Sequence, residues 1–309
     1  MSLNGIKVLL GPSTFALYDK APIARLINAG CEVIENPHKR KLTKSELLEL
    51  LSDNVTGLIA GLELIDHEVL EKTNLKVISR CGSGMSNVDL EAARKLGVKV
   101  YNTPDGPTTA VAELTLGVMV CMLRMISQMD KDMHDGKWSK KVGFQLEGKT
   151  VVIVGFGRIG RKVASLLSSF HVKLLAVDPC LQGNVDGVEI IPLNKALEEA
   201  DIITIHASGE QQIIGDYEIN LLKEGVFLMN IARGNVINES SIVDGLESGK
   251  IAGAWLDTFS EEPYNGPLTK YNKVVLTPHI GSYTYEGRSR MEMDAVNNLL
   301  QGLQDIEKK

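Results

Sequence analysis

The chain has little cysteine, no long apolar run and no excess of positive charge, and each shortage removes a class of protein. Its four cysteines among 309 residues, Cys31, Cys81, Cys121 and Cys180, show no Cys-x-x-Cys spacing, and no signal peptide precedes them. Reduced thiols in a cytoplasmic protein are therefore expected. The longest nearly uncharged run, Leu114 to Leu123, falls short of the about 20 apolar residues that cross a bilayer. It predicts a buried helix, and no membrane partner. A net charge of -6 is opposite to what phosphate backbones attract, so no nucleic-acid partner is expected, and Lys39 to Lys41 reads as a solvated loop. Internal repeats and low-complexity tracts are also missing. The Met1-Ser2-Leu3 start is given no structural weight.

What is present points to a compact α/β protein. With 44% hydrophobic and 23% charged residues, composition is that of ordinary globular chains, and the length predicts two domains able to hold a cleft. Apolar, β-rich runs recur at Ile6 to Leu10, Cys31 to Ile34, Gly57 to Ala60, Lys76 to Ser79 and Val98 to Tyr101. Between them Ile23 to Ala29, Thr43 to Leu51 and Leu90 to Leu96 read as helices, with Thr43 and Glu46 spaced for a capping box. A Pro/Gly/Thr-rich stretch, Thr103 to Thr109, precedes one long helix expected over Ala110 to Asp135 and marks a domain boundary. Six further strands are then predicted: Thr150 to Val154, Lys173 to Val177, Ile202 to His206, Val226 to Asn230, Ile251 to Leu256 and Val274 to Thr277. They suit a second doubly wound parallel sheet. A last helical pattern covers Thr284 to Leu303.

Two sets of residues carry chemistry. The first, Val151-Val-Ile-Val-Gly155-Phe-Gly157-Arg-Ile-Gly160, places G-x-G-x-x-G between a buried strand and a helix. There Gly155 permits the tight turn, Gly157 lets backbone approach a pyrophosphate, and Gly160 lets helix and strand pack closely. Asp178 ends the next strand, 18 residues past Gly160, where a carboxylate accepts from ribose hydroxyls and repels a 2'-phosphate. NAD is thereby favoured over NADP. The second set is Arg233, Glu262 and His279, each just past a predicted strand end. A guanidinium at Arg233 can hold a carboxylate bidentately and polarise a keto oxygen. The imidazole of His279 is of the type that can donate a proton to an alkoxide, and Glu262 can orient it. Read one at a time, these three have ordinary alternatives as a helix-terminus charge, a turn acid and a capping histidine.

The ordered motifs together resemble the D-isomer-specific 2-hydroxyacid dehydrogenase family. They are Arg80-Cys-Gly-Ser-Gly-Met-Ser-Asn-Val-Asp89, Val111-Ala-Glu-Leu-Thr-Leu-Gly117, the glycine turn, Asn230-Ile-Ala-Arg-Gly234, Leu256-Asp-Thr-Phe-Ser-Glu-Glu-Pro263 and Pro278-His-Ile-Gly-Ser282. The resemblance implies a Rossmann NAD-binding domain, 104–283, inserted in a flavodoxin-like substrate domain made of 1–103 plus 284–309. It implies Arg233, Glu262 and His279 as the catalytic set, with Ser83 and Gly84 presenting backbone N–H groups to the substrate carboxylate. Arg158 and Ile159 would lie along the pyrophosphate, Asp257 and the Ala232 carbonyl would meet the nicotinamide carboxamide, and His206 and Gly281 would complete the coenzyme site. A homodimer built on the long helix after Ala110 is implied as well.

The reaction implied is hydride transfer between nicotinamide and a D-2-hydroxy acid or its 2-keto partner, with D-3-phosphoglycerate first and hydroxypyruvate or glyoxylate second as substrates. An NAD-responsive co-repressor-like binding protein and a formate or phosphite dehydrogenase are the alternatives. Two departures stand out: Pro107 occupies a place where the phosphoglycerate-type loop commonly has Asn, and the residues after His206 lack the family's usual proline. No regulatory domain follows Leu303, so feedback through one is not expected.

Overall fold

The computed structural model describes residues 3–308. Met1, Ser2 and Lys309, which belong to the expected chain start and split domain, lie outside the described residues. The chain divides into two compact units, one running up to Pro107 and resuming at Ser282, the other spanning Thr108–Gly281.

The first unit alternates β1 (Lys7–Leu10), α1 (Ala21–Asn28), β2 (Glu32–Glu35), α2 (Lys44–Leu51), β3 (Val55–Ala60), α3 (His67–Glu71), β4 (Val77–Arg80), α4 (Leu90–Lys95) and β5 (Lys99–Asn102). The five strands pair in parallel in the order β2-β1-β3-β4-β5. This is the flavodoxin-like order, whose direction of winding reverses between β1 and β3. Successive side chains of a strand point to opposite faces. Val8 and Leu10 accordingly enter one core while Leu9 enters the other. At α2 the expected capping box forms, Glu46 N donating to Thr43 Oγ1 at 3.4 Å and Thr43 N to Glu46 Oε2 at 2.9 Å. Helix α3, capped by Asp66, escapes the sequence reading because five residues are too few to show a period.

The second unit contains α5 (Thr108–Leu123), α6 (Ile126–His134), β6 (Thr150–Val154), α7 (Arg158–Leu167), β7 (Lys173–Val177), β8 (Gly183–Val185), β9 (Val188–Ile190), α8 (Leu193–Glu199), β10 (Ile202–Ile205), α9 (Asp216–Leu221), β11 (Val226–Asn230), α10 (Glu239–Ser248), β12 (Ile251–Leu256) and β13 (Val274–Leu276). Its sheet runs β13-β12-β11-β10-β6-β7-β9-β8. All pairs are parallel except β8 with β9, a hairpin too short to alternate visibly and absent from the six strands expected. Buried apolar clusters cover both faces of this sheet, one against α5 and α7 and the other against α8 to α10.

Two expectations are corrected. The single helix over 110–135 is two helices bent by 66°. Met125 takes a left-handed φ of 50° between them, and the Leu123 carbonyl accepts from Phe144 N at 2.9 Å instead of from the next helical turn. Helix α5 buries eight side chains and α6 none, so the break falls where the chain leaves the core. Leu3, set aside as part of the chain start, is 1% exposed and packs with Leu26 and Leu299.

The last helix, α11 (Tyr285–Glu307), returns to the first unit and packs on α1, β3, β4 and β5. Its buried Met291, Ala295, Leu299 and Leu303 recur every fourth residue and form one stripe. No single helix among the described residues is long and apolar enough to cross a membrane.

Candidate active site

The glycine turn lies between β6 and α7, and backbone contacts explain its residue types. A Cβ on Gly160 would stand 2.2 Å from the Gly155 carbonyl oxygen, and one on Gly155, whose φ is 91°, would stand 2.5 Å from Ala207 N. Both positions therefore require glycine. Gly157 differs: it is the N-cap of α7 and nothing lies within 4 Å of where its Cβ would be. The space in front of the helix N-terminus is open, and the N–H groups and macrodipole there attract an anion. Arg158 and Ile159 occupy the first turn. Asp178 follows β7 directly, its Oδ2 accepting from Phe156 N and its Oδ1 from Cys180 N, both at 2.9 Å. It braces the glycine turn while its remaining lone pairs stay available to a ribose. These residues fit a dinucleotide.

The open space gives a direct test. Gly157→Glu should leave the melting temperature of the coenzyme-free protein unchanged, since an acid at a helix N-terminus is favourable. The same charge should weaken NADH binding by about 100-fold by repelling the pyrophosphate. Fluorescence titration and a thermal melt read the two effects, and unaltered NADH affinity would show that the pyrophosphate lies elsewhere.

His206 closes β10, with Nε2 2.9 Å from Thr204 Oγ1 and Nδ1 enclosed without a partner. Burial lowers its pKa to about 3, so the ring stays neutral.

Arg233, Glu262 and His279 all lie in the second unit, past the ends of β11, β12 and β13. Asn230, fully buried, holds the arginine loop: its Nδ2 donates to the Arg233 carbonyl at 2.8 Å and its Oδ1 accepts from Ala232 N at 3.1 Å. Arg233 Nη1 donates to the Ala232 carbonyl at 2.7 Å, which leaves the guanidinium's other N–H groups to a ligand. Gly234 lies directly against that second loop, since a Cβ there would stand 1.8 Å from the Phe259 carbonyl carbon. The absent side chain lets the Arg233 loop pack on the loop that carries Glu262. In that loop Phe259 N donates to Glu262 Oε1 at 3.1 Å, and Phe259 stacks on Tyr264 at 4.2 Å between centroids.

Glu262 Oε2 lies 3.0 Å from His279 Nδ1. Both side chains are about one-third exposed, at 33% and 36%. His279 adopts a φ of 54°, a left-handed conformation that costs a non-glycine residue free energy. What holds it there is Asp257, itself 1% exposed. Its Oδ1 accepts from Thr277 Oγ1 at 2.6 Å and Ile280 N at 2.9 Å, and its Oδ2 from Gly281 N at 2.8 Å. Trp255 Nε1 in turn donates to Thr277 Oγ1 at 2.9 Å. The sequence reading missed Asn230, Thr277 and Trp255; their only signal was polarity at the end of, or within, an apolar strand.

In the first unit, Ser83 and Gly84 follow β4. Gly82 N donates to Thr103 Oγ1 at 2.7 Å and Asn102 Nδ2 to the Ser83 carbonyl at 2.8 Å, which fixes this glycine-rich loop against the end of β5.

Comparison with known proteins agrees with this architecture. Residues 116–281 match the family described as D-isomer specific 2-hydroxyacid dehydrogenase, NAD binding domain. D-3-phosphoglycerate dehydrogenase of Sus scrofa is 38% identical over 275 residues, covering 86% of this chain and 51% of its own length. The chain thus spans about half of that relative. Glyoxylate reductase of Thermofilum pendens is 38% identical over 296 residues, 90% of this chain and 87% of its own. A crystal structure of a protein from Thermus thermophilus superposes with a TM-score of 0.88 at 32% identity, over 97% of each chain. With its two parallel-sheet units, its glycine turn and these matches, the chain belongs to the D-isomer specific 2-hydroxyacid dehydrogenase family, and its inserted unit is an NAD-binding domain.

Proposed function

We propose that the protein is an NAD-dependent oxidoreductase interconverting a D-2-hydroxy acid and its 2-keto acid, acting on the CH–OH group of the donor. The observation that carries this reading is the His279–Glu262 pair at 3.0 Å, on loops packed beside the one bearing Arg233. Bound nicotinamide supplies or accepts the hydride. Arg233 binds the substrate carboxylate and polarises the keto oxygen. Glu262 accepts a hydrogen bond from His279 Nδ1, so that Nε2 is the nitrogen that gives its proton to the new alkoxide, or takes it back in oxidation. Asp257 and the Ala232 carbonyl are assigned to the nicotinamide side, His206 and Gly281 to the coenzyme site, and the N–H groups of Ser83 and Gly84 to the substrate carboxylate. The substrate domain is 1–103 with 284–309 and the coenzyme domain 104–283. Oxidation of NADH by the purified protein with hydroxypyruvate, glyoxylate, pyruvate and 3-phosphohydroxypyruvate tests the reading. No turnover with any of them, with NADH binding intact, would overturn it.

The same reading makes the protein a cytoplasmic homodimer, supported by four free thiols and by an apolar arm. Ile126, Met133, Trp138, Val142 and Phe144 are 48%, 53%, 79%, 94% and 51% exposed, a run of exposed large apolar groups that marks an association surface. Trp138→Asp with Val142→Asp should convert a dimer in light scattering to a monomer without loss of helix content. A wild-type monomer, or a double variant that still dimerises, would refute the assignment.

A further inference from the structure

We propose that Tyr264 is a positioning residue for the proton path, its side chain fixing the loop that presents Glu262 to His279. This rests on the 2-keto acid reading above and adds a residue to its machinery. Every group involved lies in the second unit. Glu262 meets His279 Nδ1 with one carboxylate oxygen at 3.0 Å and takes a hydrogen bond from Phe259 N on the other at 3.1 Å. The direction of the carboxylate therefore follows the Phe259 backbone.

Two contacts fix that backbone. One is the close approach of Gly234, where a Cβ would stand 1.8 Å from the Phe259 carbonyl carbon. The other is the Tyr264 ring, which stacks on the Phe259 ring at 4.2 Å between centroids and 19° between planes. A stacked aromatic pair holds its members more firmly than buried area alone. Gly266 makes room for the tyrosine, since a Cβ there would stand 2.4 Å from the phenol oxygen. That oxygen accepts from Leu268 N at 3.2 Å, and Leu268 is wholly buried. It donates to the carboxylate of Glu239, the first residue of α10, which follows the turn that begins at Arg233. Burial pushes the phenol up to about 12, so it remains a donor at neutral pH. One half-buried side chain thus joins the Glu262 loop to the core through Leu268 and to the helix after Arg233. The phenol takes no part in proton transfer; it acts through Glu262.

The test is a double-mutant cycle on the full chain, with whichever of hydroxypyruvate, glyoxylate, pyruvate and 3-phosphohydroxypyruvate wild type reduces fastest. Tyr264→Ala should lower kcat about 50-fold, as a displacement approaching 1 Å at a reacting group does, with NADH affinity by fluorescence titration unchanged. Tyr264→Phe keeps the stack and loses only the hydroxyl's two hydrogen bonds, so its loss should be about fivefold. In a Glu262→Gln background either substitution should cost less than about twofold, because the carboxylate that Tyr264 positions has gone. A tyrosine that served stability alone would lower the melting temperature and leave the two kinetic losses independent. Full kcat in a folded Tyr264→Ala, or the same loss with and without Glu262, would overturn the proposal. If the alanine variant does not fold, Tyr264→Phe carries the same cycle. Should wild type bind NADH yet reduce none of the four acids, the 2-keto acid reading itself has failed, and the proposal with it.

Discussion

His279→Ala should lower kcat by about 1,000-fold while NADH still binds, the range expected when a positioned proton donor is removed. The loss should not be shared by the coenzyme site, because the glycine turn and Asp178 are braced by their own backbone contacts. Glu262→Gln should produce a smaller fall, because its partner's Nδ1 would still find an oxygen, though one without the carboxylate's charge. His206, held neutral by a pKa of about 3, cannot stand in as the proton donor. Rapid-mixing measurement of the hydride step, alongside fluorescence titration of NADH, separates chemistry from binding. A fall in kcat of less than tenfold would remove His279 from the proton path and leave the partner-binding function as the better account of an NAD-binding chain.

Asp257→Asn should cost both stability and turnover. The carboxylate accepts three hydrogen bonds from residues 277, 280 and 281, with 1% of its surface exposed. An amide keeps the shape but turns one acceptor into a donor, so at least one N–H or O–H of the loop faces another donor with no water to replace the bond. Leaving such a buried group unsatisfied costs roughly 1–3 kcal/mol, more where a charge was involved. A lowering of the melting temperature by about 3–10 °C follows for a unit of this size. The loop that relaxes is the one holding His279 at its left-handed φ, and a displacement of about 1 Å at a reacting group lowers rate about 100-fold. The decisive reading is a melt without coenzyme. An unchanged melting temperature with only NADH affinity reduced would confine Asp257 to the nicotinamide contact and leave the loop's conformation to other forces.

Much of the fold was legible because its signals are local. Strands β6, β7, β11 and β12 coincide with their predicted ranges, since buried parallel strands are short, continuous apolar runs bounded by polar turns. Elements that do not repeat long enough to show a period, α3 and the β8–β9 hairpin, stayed invisible. The break at Met125 was hidden for a different reason: apolar residues continue through it, and what ends the helix is a hydrogen bond to Phe144, 21 positions along the chain.

The sequence by itself determined the coenzyme turn and the types of residue available for chemistry. Three glycines at a strand-to-helix turn and an acid after the next strand form one pattern within a few tens of residues, and Arg233, Glu262 and His279 stand in motifs readable in order. Only tertiary structure decided how those side chains are held and what else they meet: that Asp257 grips the His279 loop, that Gly234 admits the Glu262 loop, and that Glu63 is buried between Gly11 and Gly61. Each of these depends on the contact of segments distant in sequence. A carboxylate one position from a turn reads the same whether it ends in solvent or in a crevice, until the sheet that buries it has formed.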